Sequence, residues 1–137
     1  QKLDIPVMAT EFPAGWLDQY APWIMSRATD ILRGDVLLKG GITTLFKIAH
    51  LAEAFSMKIE IHHGGNAVND FANLHVQMAI PNTTYMEVLL PHKAWWYGLV
   101  EDIVIDQDGF AHAPSGPGLG CEIDQALVER TKIAYLD

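Results

Sequence analysis

Between Ile5 and Leu89 the chain alternates short apolar runs with amphipathic stretches, at a period of roughly 25 residues. No other feature restricts the fold as strongly. Strands and helices in that rhythm imply parallel strands joined by right-handed crossovers. Ile5 to Thr10 reads as a short buried strand, with Pro6 near its start or at an edge. Pro13 suits the first turn of a helix over Ala14 to Ala28, which Pro22 should kink or break. Gly34 to Lys39 reads as the second strand and Gly40-Gly41 as a turn. Thr43 or Thr44 would cap a helix running to Phe55, with Leu45, Ile48, Ala49, Ala52 and Phe55 at helical spacing. Met57 to Ile61 is a third strand, ending in His62-His63-Gly64-Gly65-Asn66. A helix over Val68 to Met78 follows, then a fourth strand over Thr84 to Leu89, stopped by Pro91.

Residues 91–137 have another texture. Val100 to Asp106 and Phe110 to Ala113 suit a hairpin turning at Asp108-Gly109. A Pro/Gly-rich loop comes next, and Asp124 caps a short helix over Gln125 to Thr131. The expected division is 1–90 for the strand–helix repeat and 91–137 for a tail.

A length of 137 residues suits a single domain or part of a larger one. The chain begins Gln-Lys-Leu-Asp, without Met or the features of a signal peptide, and reads as trimmed or incomplete. Seventeen acids face nine bases, for a net charge of −8. Proteins that bind nucleic acid usually carry the opposite excess, so no nucleic-acid partner is expected. The acidic balance is compatible with a bound divalent cation that reverses the local field. No apolar run reaches the roughly 18 residues of a membrane helix, and no membrane partner is expected. The single cysteine, Cys121, rules out an intrachain disulfide framework and a Cys-rich zinc site. A reducing cytoplasm is the expected compartment.

In parallel α/β architectures, chemistry gathers at the C-terminal strand ends. Glu11 follows the first strand, Asp35 and Lys39 lie on the second, His62 and His63 end the third, and Glu87 lies on the fourth. Each alone reads as a solvated strand-end residue in a salt bridge. Together they point to a site, because buried charges are costly unless paired. An Asp–His pair on adjacent strands is chemically apt. The carboxylate fixes the tautomer and raises the basicity of the other ring nitrogen. Glu11 suits a hard cation, and Glu87 can exchange a hydrogen bond with a substrate oxygen. His50 and His75 read as surface or packed helix residues, and His92 and His112 as loop residues with no evident partner. Cys121 reads as a packed thiol.

The segment Gly34-Asp35-Val-Leu-Leu-Lys-Gly-Gly-Ile-Thr43, with the helix that follows, resembles the sixth strand and helix of the mandelate racemase/muconate lactonizing enzyme group of the enolase superfamily. His62 matches the catalytic histidine ending the seventh strand, at the separation from Asp35 that the group's dyad has. Glu87, after Ala79-Ile-Pro-Asn82, matches the glutamate of the eighth strand. Met8-Ala-Thr-Glu11 resembles the end of the fifth, where the group places its third carboxylate ligand to Mg2+. Asp108 to Asp124 resembles the closing segment that returns to the capping domain.

The resemblance implies an α/β fold, the C-terminal half of a TIM-type (β/α)8 barrel with strands five to eight and a returning tail. It implies a Mg2+-dependent enzyme that removes the proton alpha to a carboxylate, with the metal stabilising the enediolate. His62, Asp35 and Glu87 would be catalytic, Glu87 through a hydrogen bond to a carboxylate oxygen of the substrate, Glu11 a metal ligand, and His63, Asn66 and Lys39 substrate-binding. The polar His62-to-Asn66 loop favours a sugar acid as substrate, hence an acid-sugar dehydratase. A racemase, epimerase or cycloisomerase of the same group is the alternative, and a non-catalytic isolated fragment is a third. The strands bringing the first two metal ligands are missing, so this chain alone would not hold Mg2+. It would pair with its missing half or with a second copy, as a homo-oligomer.

Overall fold

A computed structural model describes residues 3–11, 15–64, 66–95 and 98–134, without the side chains of residues 92 and 93. The element order is β1 (Met8–Ala9), α1 (Leu17–Met25), β2 (Ile31–Gly34), α2 (Ile42–Ala54), β3 (Lys58–Ile61), α3 (Ala67–Ala79), a single 3-10 turn at His92–Trp95, and α4 (Gln125–Thr131). The three strands form one parallel sheet in the order β1-β2-β3. Each strand is followed by a helix, as in half of a (β/α)8 barrel.

Alternation along β2 and β3 sorts the two faces of the sheet. Leu32, Ile59 and Ile61 are buried with Tyr20 and Ile24 of α1 and Leu45, Ile48, Ala49 and Ala52 of α2. Arg33 and Glu60, which are register partners, belong to the other face. A second, smaller core joins Ala67, Phe71 and Leu74 of α3 to Leu99 and Ile103 of the tail, with Cys121 packed against it.

Several expected boundaries move. The second strand is Ile31–Gly34 and ends where the reading of Gly34 to Lys39 began. The apolar run Val36-Leu37-Leu38 folds instead into a turn. Asp35 Oδ1 accepts the Leu38 N–H at 2.6 Å, and the Lys39 and Gly41 amides donate to the carbonyls of Asp35 and Val36. Asp35 therefore stands just past the strand's C-terminal end, not near its start. The first strand shortens to two residues, because the Val7 amide is taken by the Asp30 carboxylate instead of a ladder. Helix α1 runs on through Pro22, and Pro13 lies outside the described residues. Gly41, at φ 94°, is the N-cap of α2, and the Thr44 hydroxyl donates to the Gly40 carbonyl.

The expected fourth strand, Thr84 to Leu89, makes no ladder. Its start is tied to β3 by one backbone bond, Ile59 N–H to the Asn82 carbonyl, and by the Glu60 carboxylate. That carboxylate accepts from the Thr83 hydroxyl and from the amides of Thr84 and Tyr85, at 2.9–3.1 Å. A side chain occupies the place of the ladder. The tail hairpin forms, with Ile105 bridged to Ala111 and Gly109 at φ 86° in its turn. Asp124 caps α4 through the Leu127 amide. No helix among the described residues is long and apolar enough to cross a membrane.

Candidate active site

The parallel register carries Gly34 and Ile61 to the same level, and the His62 amide extends the pairing to the Gly34 carbonyl. The next residue of each strand thus brings Asp35 beside His62. Asp35 is buried, at 1% exposure, and its Oδ2 accepts from His62 Nδ1 at 2.8 Å. Its other oxygen is held by the Leu38 amide, so the carboxylate cannot turn away. The other imidazole nitrogen, Nε2, lies 3.1 Å from Glu11 Oε1. With Nδ1–H given to Asp35, Nε2 is the nitrogen that can take up or release a proton.

Arg33 joins the remaining carboxylates. Its Nε donates to Glu11 Oε2 at 2.7 Å, and its Nη2 meets both oxygens of Glu87 at 2.8 and 2.7 Å. The His63 backbone N–H adds a bond to Glu87 Oε2 at 2.9 Å. Burial works against the charged form of Glu87. The bonds from Arg33 and His63 outweigh it and hold the carboxyl below its ordinary range. Burial likewise opposes the Arg33 charge, and the two glutamates outweigh it. Glu87 is thus an ionised acceptor here, suited to a hydroxyl donor and not to a second carboxylate.

The expected set divides. Glu11, Asp35, His62 and Glu87 converge through Arg33. Lys39 is buried, at 2% exposure, with its ammonium 5.5 Å from the Tyr20 ring centroid. Burial lowers its pKa, against the pull of Asp35 and Glu11. Asn66 is the N-cap of α3, its side chain accepting from the Asn69 amide at 2.9 Å. The His63 ring points away from His62, into a small cavity beside Asp70. His112 has the partner that sequence reading did not find, Asp106 at 2.7 Å on the exposed hairpin. His75 contacts the Leu119 carbonyl, His50 stacks edge-on against Phe46, and the His92 side chain lies outside the described residues.

Two residues that sequence reasoning passed over organise this centre. Arg33 is one; its signal was a cation alternating with Leu32 inside a strand. Asn73 is the other. It is fully buried on α3, accepts the Val36 amide at 2.8 Å and donates to the His62 carbonyl at 2.8 Å. One amide side chain therefore ties together the segments bearing Asp35 and His62.

Glu11 is a hard oxygen donor of the kind Mg2+ takes. Both its oxygens are engaged, by Arg33 and His62, and no group of three His, Cys, Asp or Glu among the described residues is placed to hold a metal. The described residues do not by themselves make a Mg2+ site.

A half-barrel with a His–carboxylate dyad at its strand ends defines a class of α/β enzyme domain. Comparison with known proteins makes the class specific. Residues 1–127 match the model of the family described as enolase C-terminal domain-like, and the chain belongs to that family. It is 33% identical over 103 residues to a D-xylonate dehydratase of Haloferax volcanii, covering 75% of this chain and 25% of that one. It superposes on the D-glucarate dehydratase of Agrobacterium tumefaciens, crystallised with magnesium, at a TM-score of 0.82 and 39% identity. That match covers 96% of this chain and 35% of the other. A mandelate racemase/muconate lactonizing enzyme from Jannaschia sp. CCS1 gives a TM-score of 0.81 at 26% identity, over 98% of this chain and 34% of that one. The chain thus spans a quarter to about a third of the length of these relatives.

Proposed function

We propose that the intact protein carrying this chain is an acid-sugar dehydratase that removes the proton alpha to a carboxylate. One observation carries the reading: His62 is held by buried Asp35 through Nδ1, which leaves Nε2 facing the carboxylate cluster. A histidine so placed can accept the α-proton or, once protonated, expel the β-hydroxyl as water. Asp35 keeps Nδ1 protonated and stabilises the imidazolium that forms. Glu87, ionised beside Arg33, accepts a hydrogen bond from a hydroxyl of the sugar chain. Glu11 would serve as one ligand to Mg2+, and the remaining ligands have to come from residues beyond this chain. The substrate is a small polyhydroxylated carboxylate. The dehydratase relatives and the polar lining of the centre support that class.

The test is turnover of aldonic and aldaric acids by the intact protein in heavy water. A 2-keto-3-deoxy product is expected, and its loss in His62→Asn with the fold retained. Recovered substrate with inverted configuration and deuterium at the α-carbon would instead establish a racemase or epimerase. Equal product from His62→Asn and wild type would remove His62 from the chemistry and overturn the mechanism.

A further inference from the structure

His63 is buried, at 2% exposure, more deeply than His62, whose side chain is 19% exposed. Gln77 on α3 places its side-chain nitrogen 2.6 Å from the Tyr85 carbonyl. A carbonyl accepts only, so that atom is the amide donor and the orientation of Gln77 is fixed. Gln77 Oε1 then faces His63 Nε2 at 3.2 Å and must accept a hydrogen bond from its N–H. The neutral imidazole therefore carries its hydrogen on Nε2, and Nδ1 is a bare acceptor. Nδ1 has no hydrogen-bond partner among the described residues. Asp70 Oδ1 is 3.8 Å away and already accepts the Gly64 amide at 2.9 Å. Two acceptors face each other across a gap too long for a direct bond. Beside this pair lies a cavity of about 30 Å3, lined also by Glu87, Met86, Trp95 and Asp102. That is room for about one water molecule.

We propose that this cavity is a buried water site, and that His63, Gln77, Asp70 and its water form an assembly that positions Glu87 from behind. The water donates one hydrogen to His63 Nδ1 and the other to Asp70, satisfying both acceptors. The ring is then held on both sides by α3, at positions 70 and 77, two turns apart on one face. The anchored residue presents its backbone N–H to Glu87 Oε2, and Gln77 grips the Tyr85 carbonyl two residues before Glu87. A segment without a strand ladder is thereby fixed from two directions. His63 is on this account a positioning residue and makes no substrate contact. Burial lowers its pKa, and its surroundings include Asp70, Glu87, His62, Asp35 and Asp102, so the neutral form is the one the assembly needs.

The catalytic consequence rests on the role given to Glu87 above, whereas the water and the tautomer do not. The experiment is nitrogen NMR of histidine-labelled intact protein, with a crystal structure that resolves waters. The expected result is an unprotonated His63 Nδ1, a protonated Nε2, and a water bonded to Nδ1 and Asp70. A protonated Nδ1, an empty cavity, or a direct His63–Asp70 bond would overturn the proposal. Gln77→Glu supplies the second readout, because a carboxylate favours the doubly protonated ring and cannot donate to Tyr85. Nδ1 should become protonated and kcat fall about tenfold with KM little changed, the loss of roughly one good hydrogen bond. An unmoved nitrogen signal in that variant counts against the assembly. If the wild-type signature holds but Glu87→Gln turns over normally, the water site stands and the proposed role of Glu87 falls. A variant that does not fold leaves the wild-type measurement to decide.

Discussion

Arg33 Nη2 lies 2.8 and 2.7 Å from the two oxygens of Glu87, and the same guanidinium reaches Glu11 through Nε. One cation on the middle strand therefore balances two carboxylates brought from opposite sides of the sheet. This face would be the interior of the closed barrel, and it is built here from ion pairs. Such an arrangement is sensitive to the loss of one partner, since the others are left part-buried and uncompensated.

Arg33→Leu should accordingly destabilise the protein by about 2 kcal/mol at neutral pH, the loss of hydrogen bonds between charged groups at a partly buried site. The effect should depend on pH with a definite sign. The Glu87 carboxyl is depressed below its ordinary value of 4.5 in the folded state. Its stabilising contribution is complete above that value and is lost as pH falls through the lower, folded one. Denaturant titrations of wild type and variant should therefore converge as the solution is acidified below pH 4.5. A gap of constant size at all pH values would mean that Arg33 acts through packing alone.

Asn73 gives a second expectation. It satisfies a buried N–H at Val36 and a buried carbonyl at His62, one on each side of the dyad. Asn73→Ala orphans both, which costs about 3 kcal/mol if each is worth 1–3. Asn73→Asp keeps the acceptor for Val36 and loses the donor to His62. The buried carboxylate then faces the His62 carbonyl unpaired, so its destabilisation should be at least as large in denaturant midpoint, yet Val36 should keep its hydrogen-exchange protection only in the Asp variant. Equal exchange at Val36 in both variants would show that the amide bridge does not hold the strand ends.

Asp70 predicts the opposite pH trend from Glu87. Burial raises its carboxyl from 3.8 to about 6, against the lowering effect of the Gly64 amide. The folded state binds the proton more tightly than the unfolded one. Stability is therefore gained as pH falls through about 6 and lost as it rises. Asp70→Asn removes the charge while keeping an oxygen for Gly64. The variant should gain on wild type as pH rises through about 6, by of order 1 kcal/mol at neutrality. Parallel stability curves would contradict the raised carboxyl.

The contrast between these groups explains what could be read from the sequence. The order of strands and helices was legible because burial imposes periods of 2 and 3.6 that the apolar residues obey. Asp35, His62, Glu11 and Glu87 were legible because acids and histidines at strand ends need a reason to be there. The second strand was misplaced because Val36-Leu37-Leu38 looks like a buried run, whereas Leu37 is 59% exposed in a turn that Asp35 closes. Thr84 to Leu89, ahead of Pro91, also reads as a strand, and Glu60 displaces the ladder with side-chain bonds that no periodicity encodes. Arg33 and Asn73 bond across 54 and 37 residues of sequence, and such partners become visible only when the fold brings them together.

The last expectation concerns association. The sheet ends at β1 on one side and at β3, flanked by the ladderless 83–90 segment, on the other. Both margins carry exposed apolar side chains. Ile5 is 68% and Met8 42% exposed near β1, and Tyr85 is 76% and Leu90 78% exposed beyond β3. Edge strands with open N–H and C=O groups recruit further strands, and each Å2 of apolar surface removed from water contributes roughly 25 cal/mol. The polar interior around Arg33 adds little to that drive, so the margins should govern it. The 137-residue chain by itself should sediment as a dimer or larger species, or bind the remainder of its barrel when that is supplied. Charged substitutions at Ile5 and Leu90, as Ile5→Lys and Leu90→Lys, should shift it toward monomer without unfolding it. A monodisperse wild-type monomer with a cooperative melt would show that these margins are tolerated in water, and the half-barrel would then be a self-sufficient unit.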